Sequence, residues 1–444
     1  MLEKIKTLIK ENKYKEVHKE LIDLDASDIA EILEKLHEKE IIRVFNLLPK
    51  DLAANTFSQM DSHYQHLIIK YLTEKETAEI IDKLATDDAA DVMEEMPSNV
   101  VTKILEKTSP EKRKNINTLL HYEEDSAGSI MKVEYLAIIG NLKIEDAIKE
   151  IKLQAKDKVT VDYCYILDEQ RKLLGTISLR QILLSSYDQY VYDIMKQRPK
   201  YVTTNTDQEE VAHKMQKYDI NTIAVVDSEK RLVGIITIDD IVDVLEDETT
   251  EDIEKMAAIR PSDKPYMSMN TFEIWRKRIP WLLLLMISAT FTSKIIQHYE
   301  NALSKFVILT SFIPMFMDTA GNAGGQSSVT IIRGLSLNEI SFRDIFKIMF
   351  KEFKVAILVG ISLAIANGIK LLFIDGIPLK ITAVVCITLL CTIIIAKIIG
   401  CTLPLIAKKL KFDPAVMASP FITTIVDAVS LIVFFQVAST ILHI

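Results

Sequence analysis

Five long apolar stretches in the second part of the sequence constrain the fold of this 444-residue chain more than any other feature. They cover roughly 279–298, 306–332, 355–374, 381–407 and 414–443. Each approaches or exceeds the ~20 residues that an α-helix needs to cross a bilayer. The sequence therefore predicts five transmembrane helices at its C-terminal end, and a protein that divides its residues between water and lipid.

The charge of the chain divides at nearly the same place. Residues 1–270 hold 37 Lys and Arg against 53 Asp and Glu, a net charge of −16, whereas residues 271–444 have a net charge of +7. Nucleic acids are bound by clustered positive charge, so the acidic front disfavours nucleic acid as a partner. Divalent cations are the natural ligands of such an acidic surface.

Basic residues also set the expected orientation in the membrane. They cluster before the first apolar stretch, between the second and third, and between the fourth and fifth. Positive residues favour the cytoplasmic side, so we expect a multi-pass protein of the cell (plasma) membrane with a cytoplasmic N-terminus and an extracytoplasmic C-terminus. The first residues do not form a signal peptide, and the four cysteines lack disulfide or metal-site spacing, as expected in a reducing cytosol.

Polar residues inside the apolar stretches are few and therefore informative, because a charge at bilayer depth costs ~2.5–3.5 kcal/mol. Asp318 interrupts the second stretch and Asp427 the fifth, while Asn322 and Gln326 share one face of the second. Oxygen-rich side chains around an acid fit a pore for a hydrated hard cation. An internal Asp–Lys pair is the structural alternative for the acids, and the role of Lys397 stays open.

The second stretch also contains Pro314, Gly321, Gly324 and Gly325. We expect these residues to weaken the helix and to expose backbone carbonyls beside protein or a wet cavity. Close helix–helix contact is the alternative role for the glycines.

An internal repeat with a period of 59 occupies the middle of the chain. Residues 165–183 align without gaps on 224–242, and each copy has the pattern of strand, turn, strand and helix after an amphipathic helix. The openings SIMKVEYLAI and DIMKQRPKYV also match, at an offset of 64. The pattern resembles a tandem pair of cystathionine-β-synthase (CBS) domains over about 130–250. That resemblance implies that Thr237 and Asp240 of the second copy can bind the ribose of an adenine nucleotide such as ATP.

Residues 1–125 carry repeated amphipathic helices and are almost free of glycine. The segments 27–36, 75–84 and 87–96 share acids beside an apolar stripe at helical spacing, which predicts a superhelical stack of short helices. Asp87 and Asp91 stand four residues apart on one helix face, where like charges repel unless a counter-ion binds. Helix capping explains Asp87 as well as metal sensing does.

The order of these parts resembles the MgtE family of magnesium channels and transporters over nearly the whole chain. The membrane segments PMFMDTAGNAGGQ and DPAVMASPFITTIVD carry the resemblance most specifically. It implies a multidomain protein with an all-α superhelical N-domain (1–128), an α/β tandem CBS pair (129–192 and 193–248), a connecting plug helix (249–273) and an α-helical transmembrane domain (274–444). It also implies a homodimer in the lipid bilayer, with the pore between two membrane domains.

The resemblance further implies roles for individual residues. Asp427 is the implied pore acid, with Asn322 and Gly321 lining the pore, and the role of Asp318 stays open. The implied ligands of regulatory Mg²⁺ are acids of the N-domain, the second CBS copy and the plug: Asp87, Asp91, Asp207, Glu209, Asp219, Asp240, Asp243, Glu248 and Glu251.

These observations predict a Mg²⁺-selective channel or transporter that mediates magnesium uptake and is gated by intracellular Mg²⁺. Transport of another divalent cation such as Co²⁺ or Mn²⁺, or coupling to H⁺, is an alternative of the same class. A membrane-anchored adenine-nucleotide sensor is an alternative of another class. An enzyme is not expected, because the sequence has no zinc-protease motif, no P-loop and no recognisable pair of nucleophile and base.

Overall fold

Residues 1–262, 266–267, 269–300, 304, 306–417 and 419–443 are described in the computed structural model of this chain. The chain forms two compact units, Met1–Glu246 and Asp247–Ile444. We call them the N-terminal unit and the membrane unit.

Ten short helices form the first part of the N-terminal unit. They are α1 (Leu2–Lys10), α2 (Tyr14–Ile22), α3 (Ala26–Glu34), α4 (Glu38–Phe45), α5 (Lys50–Ser58), α6 (Ser62–Tyr71), α7 (Glu74–Ile81), α8 (Thr86–Glu94), α9 (Ser98–Lys107) and α10 (Pro110–Leu119). Helices of eight to ten residues are marginal alone, so their stability comes from burying one apolar face against neighbours. The helices α3, α5, α7 and α9 stack in one row, and α2, α4 and α6 stack in another. This is the stacked arrangement that the repeated stripes predict.

The internal repeat forms two small sheets of the same topology. In the first, β1 (Ala137–Ile139) runs parallel to β2 (Tyr163–Leu167), and β3 (Leu173–Ser178) pairs antiparallel with β2 and with β4 (Lys196–Gln197). In the second, β5 (Tyr201–Thr203) runs parallel to β6 (Thr222–Val226), which pairs antiparallel with β7 (Leu232–Thr237). The helices of this region are α11 (Ile144–Gln154), α12 (Leu179–Leu184), α13 (Val191–Ile194), α14 (Gln208–Tyr218) and α15 (Ile238–Met256). The predicted strand–turn–strand–helix order is therefore confirmed in both copies.

Each sheet pairs with the segment that opens the other copy. Lys132, in the opening of the first copy, makes two backbone hydrogen bonds to Ile235 of β7, at 2.7 and 2.9 Å. Lys196, its counterpart in the repeat, pairs with Thr176 of β3. This exchange explains why the two openings match each other, and it fixes Lys132 beside the start of α15.

The repeated glycines make room for this exchange. A Cβ atom on Gly175 would lie 2.7 Å from Met195 Sδ, and one on Gly234 would lie 2.6 Å from Met131 Sδ. Both distances are too short for a real contact, so each copy needs glycine where the exchanged methionine crosses the strand.

One hydrophobic core joins the helical stack to the second CBS copy, whereas the first copy has a core of its own. The joint core includes Phe57 of α5, Met131 and Ile223 of β6. The two regions therefore fold as parts of one N-terminal unit.

The predicted connector, 249–273, is helical at both ends. Its first residues belong to α15, which ends at Met256, and its last belong to a helix that begins at Thr271. Residues 263–265 and 268 of this connector lie outside the described residues.

The described residues of the membrane unit include five long helices. They are α16 (Thr271–His298), α17 (Ile313–Ser336), α18 (Ile345–Ile369), α19 (Leu379–Lys409) and α20 (Ser419–Leu442). Short 3₁₀ segments precede α17, α18 and α20, and one π-helical turn, Lys370–Ile374, follows α18. The helix α17 packs against α19 and α20, α18 packs against α19, and α16 packs against α20.

Four helical segments of the described residues are long and apolar enough to cross a membrane: Thr271–His298, Phe342–Ile374, Leu379–Lys409 and Pro414–Leu442. The remaining one, α17, has 24 residues and hence a length of ~36 Å. Its middle, GNAGGQSS, is too polar to meet the same measure of apolarity. A helical membrane domain is therefore observed, while apolarity alone supports four of the five predicted spans.

The second stretch forms one continuous helix, α17, and the expectation that Pro314 weakens it is wrong. Pro314 lies in its first turn, where the missing N–H group removes no helix hydrogen bond. The glycines serve close packing instead: a Cβ atom on Gly400 of α19 would lie 2.2 Å from the backbone oxygen of Gly324. Close helix contact, the alternative role, is the one that the structure shows.

Candidate functional site

Three polar side chains form a stripe along one face of α17. Asp318, Asn322 and Gln326 follow one another at four-residue spacing, and all three are exposed. Asn322 Nδ2 donates a hydrogen bond to Asp318 Oδ1 at 3.2 Å, which aligns the amide with the carboxylate. Polar side chains are costly in lipid, so this polar stripe needs water or protein against it.

Asp427 of α20 lies beside α17 at the position of Gly321. A Cβ atom on Gly321 would lie 3.0 Å from Thr423 Cγ2 and 4.0 Å from Asp427 Oδ1, so any side chain there would press on Thr423. Asp427 is half-buried. The predicted pore residues Asp427, Gly321 and Asn322 thus lie on the contacting parts of two neighbouring helices.

A buried ion pair joins three helices of the membrane unit. Lys397 Nζ of α19 lies 3.6 Å from Glu352 Oε2 of α18 and donates to Ser327 Oγ of α17 at 3.2 Å. Ser327 Oγ in turn donates to Glu352 Oε2 at 2.6 Å. The side chain of Lys397 is 5% exposed. The role left open for Lys397 is therefore an internal pair, with glutamate rather than either aspartate as its partner.

An acidic cluster surrounds Lys132 in the N-terminal unit. Lys132 Nζ donates to Asp240 Oδ1 at 2.7 Å, Asp239 Oδ2 at 2.9 Å and Thr237 Oγ1 at 3.1 Å. The same nitrogen lies 3.7 Å from Asp87 Oδ2, and the side chains of Lys132 and Asp87 are each only 7% exposed. We call these five residues the Lys132 cluster; it joins α8 to the start of α15.

Local structure explains how the acids of the Lys132 cluster are placed. Thr237 and Asp240 are hydrogen bonded at the start of α15, since Thr237 Oγ1 donates to Asp240 Oδ2 at 2.8 Å and Thr237 N donates to the same oxygen at 3.3 Å. Asp87 lies in the first turn of α8, where the helix dipole favours an acid. The side-chain cap predicted as its alternative role is not observed, since the residue before α8 is Ala85.

The acids of this region have perturbed pKa values. Burial and the charge of Asp88 raise the pKa of Asp87 well above its ordinary range, against the lowering effect of Lys132. Burial raises the pKa of Asp88 to about 6, and desolvation together with Asp88 raises the pKa of the more exposed Asp91 to about 7. Burial lowers the pKa of Lys132, but Asp87 and Asp240 outweigh it and place this pKa above its ordinary range. Lys132 therefore stays charged among crowded acids.

A second polar network connects the helical stack to the same segment. Lys112 of α10 donates to Leu84 O at 2.5 Å and to Thr86 Oγ1 at 3.0 Å, and it lies 3.4 Å from Glu134 Oε1. Thr86 Oγ1 also donates to Glu134. Two lysines, Lys112 and Lys132, therefore bridge the helical stack and the CBS pair.

Three of the predicted sensor residues have local structural roles. Asp207 caps α14 by accepting a hydrogen bond from Glu209 N at 2.9 Å. Glu209 Oε1 lies 3.5 Å from His213 Nε2. Asp219 ends α14 with a positive φ of 48°, and it is exposed. The described contacts do not bring these three residues into the Lys132 cluster.

Further predicted sensor acids follow along α15. Asp243 is exposed, and desolvation together with Asp240 raises its pKa. Glu248 follows on the same helix, one turn before Glu251. Within the membrane unit, Lys255 Nζ lies 2.5 Å from Glu251 Oε1 and 2.6 Å from Asp413 Oδ2, which precedes α20.

Three stretches of the chain match known families. Residues 313–437 match MgtE, described as a divalent cation transporter; residues 24–125 match the MgtE intracellular N domain; and residues 191–247 match the CBS domain. A magnesium transporter MgtE of Thermus thermophilus is 35% identical over 341 residues, covering 77% of this chain and 75% of that protein. The chain belongs to the MgtE family. The magnesium transporter MgtE of Bacillus subtilis is 31% identical over 440 residues, covering 98% of this chain and 96% of that protein.

Solved structures of MgtE proteins resemble the N-terminal unit. The cytosolic domain of the Mg²⁺ channel MgtE in complex with ATP has a TM-score of 0.53 at 32% identity, and the match covers 55% of this chain and all of that one. The soluble part of a magnesium transporter has a TM-score of 0.52 at 28% identity, covering 56% of this chain and 97% of that one. The predicted membership of the MgtE family is therefore confirmed, and the chain is a membrane protein of a transporter family.

The MgtE acids of this chain differ in their fit to a divalent ion. Among the described residues, no three His, Cys, Asp or Glu side chains converge to hold a metal. The Lys132 cluster does not fit a divalent cation, because the ammonium group occupies the point where its carboxylates meet. Asp91 and Asp243 are exposed among other acids, which fits hydrated Mg²⁺, since this ion binds through one or two carboxylates and keeps its water.

The structure also reveals residues of this MgtE protein that sequence reasoning missed. Lys132, Asp88 and Asp239 belong to the acidic region, and Glu352 pairs with Lys397. The sequence contained a signal for Lys132, because the offset of 64 aligns it with Lys196. This alignment predicts that the two lysines occupy equivalent positions in the two copies. Nothing in the sequence marks the long-range partners of Asp88 and Glu352.

An open groove of about 630 Å³ lies beside the first CBS copy of this MgtE protein. Its lining residues include Tyr163 and Arg180 with Asp162, together with Asn221 of the second copy. A ring can stack on a purine, and a guanidinium group can pair with phosphate. The predicted ribose ligands Thr237 and Asp240 are instead bonded to each other and to Lys132.

Proposed function

We propose that this chain is a Mg²⁺-selective channel or transporter through which magnesium enters the cell. The polar stripe of Asp318, Asn322 and Gln326, exposed on α17 beside Asp427, carries this proposal. Such a face is unstable against lipid, so we assign it to a water-filled path between the membrane domains of two copies in a homodimer. The magnesium transporters among its relatives support this ion over other divalent cations.

Asp427 holds the transported ion, and Asn322 orients the water around it. Mg²⁺ gives up water reluctantly, so a carboxylate and amide oxygens that contact hydrating water suit it better than a closed protein cage. A two-fold dimer supplies one Asp427 from each copy. Asp318 adds negative charge at one end of the stripe, which attracts cations to the path.

In the proposed topology all five helices α16–α20 cross the membrane. The polar face of α17 lines the path, which explains why this helix is less apolar than a lipid-exposed span. The basic residues before α16, between α17 and α18, and between α19 and α20 then lie in the cytoplasm with the N-terminal unit.

Regulation by intracellular Mg²⁺ completes the proposal. The N-domain (1–128), the two CBS domains (129–192 and 193–248) and the connector (249–273) precede the transmembrane domain (274–444). Acids on these parts, including the exposed Asp91 and Asp243 and the half-buried Glu248 and Glu251, repel each other at low Mg²⁺. Several weakly bound ions cancel that repulsion, favour a compact arrangement and hold the connector over the pore. Their combined binding free energy supplies the few kcal/mol that a two-state gate needs.

The sensor assignment predicts a channel that stays open at high Mg²⁺ when Asp243, Glu248 and Glu251 are neutralised together as Asn, Gln and Gln. Loss of these carboxylates removes the sites where ions favour the closed state, so the Mg²⁺ concentration for half-closure should rise about tenfold or more. Patch-clamp recording with stepped cytoplasmic Mg²⁺ measures this shift. A triple variant at acids of α11 in the first CBS copy, the exposed Glu145 and Asp146 and the half-buried Glu150, is the control and should gate normally. Normal gating in the Asp243/Glu248/Glu251 variant would refute the assignment.

Ion identity and coupling require a separate experiment. Purified protein in liposomes should carry Mg²⁺ down its gradient, with Co²⁺ and Mn²⁺ as competitors and with an imposed H⁺ gradient as the test of coupling. Flux that follows Co²⁺ or Mn²⁺ in preference to Mg²⁺ would replace the proposed cargo.

Nucleotide sensing is a second proposed function, supported by the ATP complex of the related cytosolic domain. We place ATP in the groove of the first CBS copy rather than at Thr237 and Asp240, because Lys132 holds those side chains. Arg180→Ala should weaken ATP binding about tenfold, the loss of one charge-assisted pair, by calorimetry. Asp240→Asn should bind ATP like the unchanged protein, and the reverse pattern would restore the second copy as the site.

A further inference from the structure

We propose that Lys132 is a built-in counter-ion that closes the contact between α8 and the start of α15 without a divalent cation. The proposal deepens the Mg²⁺ regulation suggested above, and it depends on that regulation only for its consequence on gating. It disagrees with the sequence-based assignment of Asp87 and Asp240 as ligands of regulatory Mg²⁺.

The hydrogen bonds of Lys132 are complete. An ammonium group has three N–H donors, and those of Lys132 reach Asp240, Asp239 and Thr237 at 2.7, 2.9 and 3.1 Å. A cation whose donors are all used is held as firmly as a bound ion, and it occupies the point on which the carboxylates converge.

Asp87 shows why a cation is needed here. Its side chain is almost completely buried, and its Oδ1 atom has no hydrogen-bond partner among the described residues. Lys132, 3.7 Å from the other carboxylate oxygen, is the nearby positive charge. Without it, Asp87 would face Asp88 and Asp240 with no nearby positive charge, which is strongly unfavourable for its ionised form.

The backbone keeps Lys132 at this position. Its N–H and C=O groups both bond to Ile235 of β7, so an isolated β-bridge ties the backbone of Lys132 to the sheet. In the repeat-related place, Lys196 pairs with Thr176 but is exposed, and Ser178 and Gln181 stand where the second copy has Thr237 and Asp240. Lys196 is therefore a natural control, a lysine at the equivalent paired position without the neighbouring acids.

The consequence is that the acids fall into two groups, those neutralised by Lys132 and those that respond to Mg²⁺. The contact between α8 and α15 stays closed at any Mg²⁺ concentration, so the ion acts on the exposed acids beyond it, among them Asp91 and Asp243. Removing Lys132 should convert the contact into one that requires a divalent ion, because three carboxylates would then surround a vacated, water-sized space.

Hydrogen–deuterium exchange of the full-length protein in detergent micelles tests this inference. In the unchanged protein, amides of α8 should exchange at rates within about twofold between EDTA and excess Mg²⁺ at matched ionic strength, because the contact is already closed. In Lys132→Ala they should exchange about tenfold faster or more in EDTA, and Mg²⁺ should restore most of the protection.

Two further variants keep the test decisive. Lys196→Ala should behave like the unchanged protein. Lys132→Ala combined with Asp87→Asn and Asp240→Asn removes the repulsion together with the lysine, so α8 should be protected in EDTA and should not respond to Mg²⁺. The inference is overturned if the unchanged protein needs Mg²⁺ to protect α8, or if Lys132→Ala matches Lys196→Ala in EDTA. Neither result depends on transport. Failure of this inference can therefore be distinguished from failure of the proposed transport function.

Discussion

Replacing Asp427 by alanine is expected to abolish selective Mg²⁺ uptake without removing the protein from the membrane. The carboxylate is the acid that faces α17 at Gly321, and each copy of the proposed dimer would lose its charged contact with the ion. Loss of one interaction with a charged group lowers binding by roughly 10- to 100-fold, and a pore formed by two copies loses it twice. Growth of a transport-deficient host at low Mg²⁺, together with flux into liposomes, measures the effect.

Asp375→Ala is a matched control for this experiment. Asp375 is also an acid of the membrane unit, but it lies after the π-helical turn and pairs with Lys370 at 3.2 Å. Its loss should leave uptake within about twofold, as expected for a partly exposed ion pair. Full growth of the host with Asp427→Ala would count decisively against the proposed ion path.

Replacing Lys397 by methionine is expected to destabilise the membrane unit severely. Glu352 would remain between three helices without its counter-charge, and breaking a buried pair from one side costs about 3–5 kcal/mol. The measured results should be a lower thermal midpoint in detergent and a smaller amount of protein in the membrane. Ser327 alone cannot compensate, since a hydroxyl group carries no positive charge.

The double variant Lys397→Met with Glu352→Gln should recover most of this loss, because it removes both charges and keeps similar side-chain volumes. Lys370→Met, at an exposed lysine of the same unit, should have little effect. A double variant as unstable as Lys397→Met alone would show that packing, rather than the ion pair, holds this position.

Local residue patterns were sufficient to predict the helices and strands of this fold. The apolar stretches became helices α16–α20, and the two copies of the repeat became two sheets that share a three-strand order, because helix and strand formation depends on residue spacing within a short window. The polar stripe was also predictable, since residues four apart on a helix share a face. The same reasoning was wrong about Pro314, whose effect depends on its place in the first turn.

The contacts between distant segments had to come from the tertiary structure. Gly324 meets Gly400 across two helices, a pairing that no local pattern encodes. Lys397 finds Glu352 rather than an aspartate, because three helices converge there. Several acids assigned from family resemblance have local roles instead, such as Asp207 at the start of α14.

The sequence by itself determined that this protein has an acidic front, a CBS pair and a membrane domain with acids at bilayer depth, because composition and periodicity are properties of neighbouring residues. Only the tertiary structure decided which charges meet. Lys132 and Thr237 lie 105 residues apart, and they come together because the opening of the first CBS copy forms a β-bridge with the sheet of the second. The sequence gives the number of acidic residues. The position of the buried Lys132 determines which of them remain available to bind an ion.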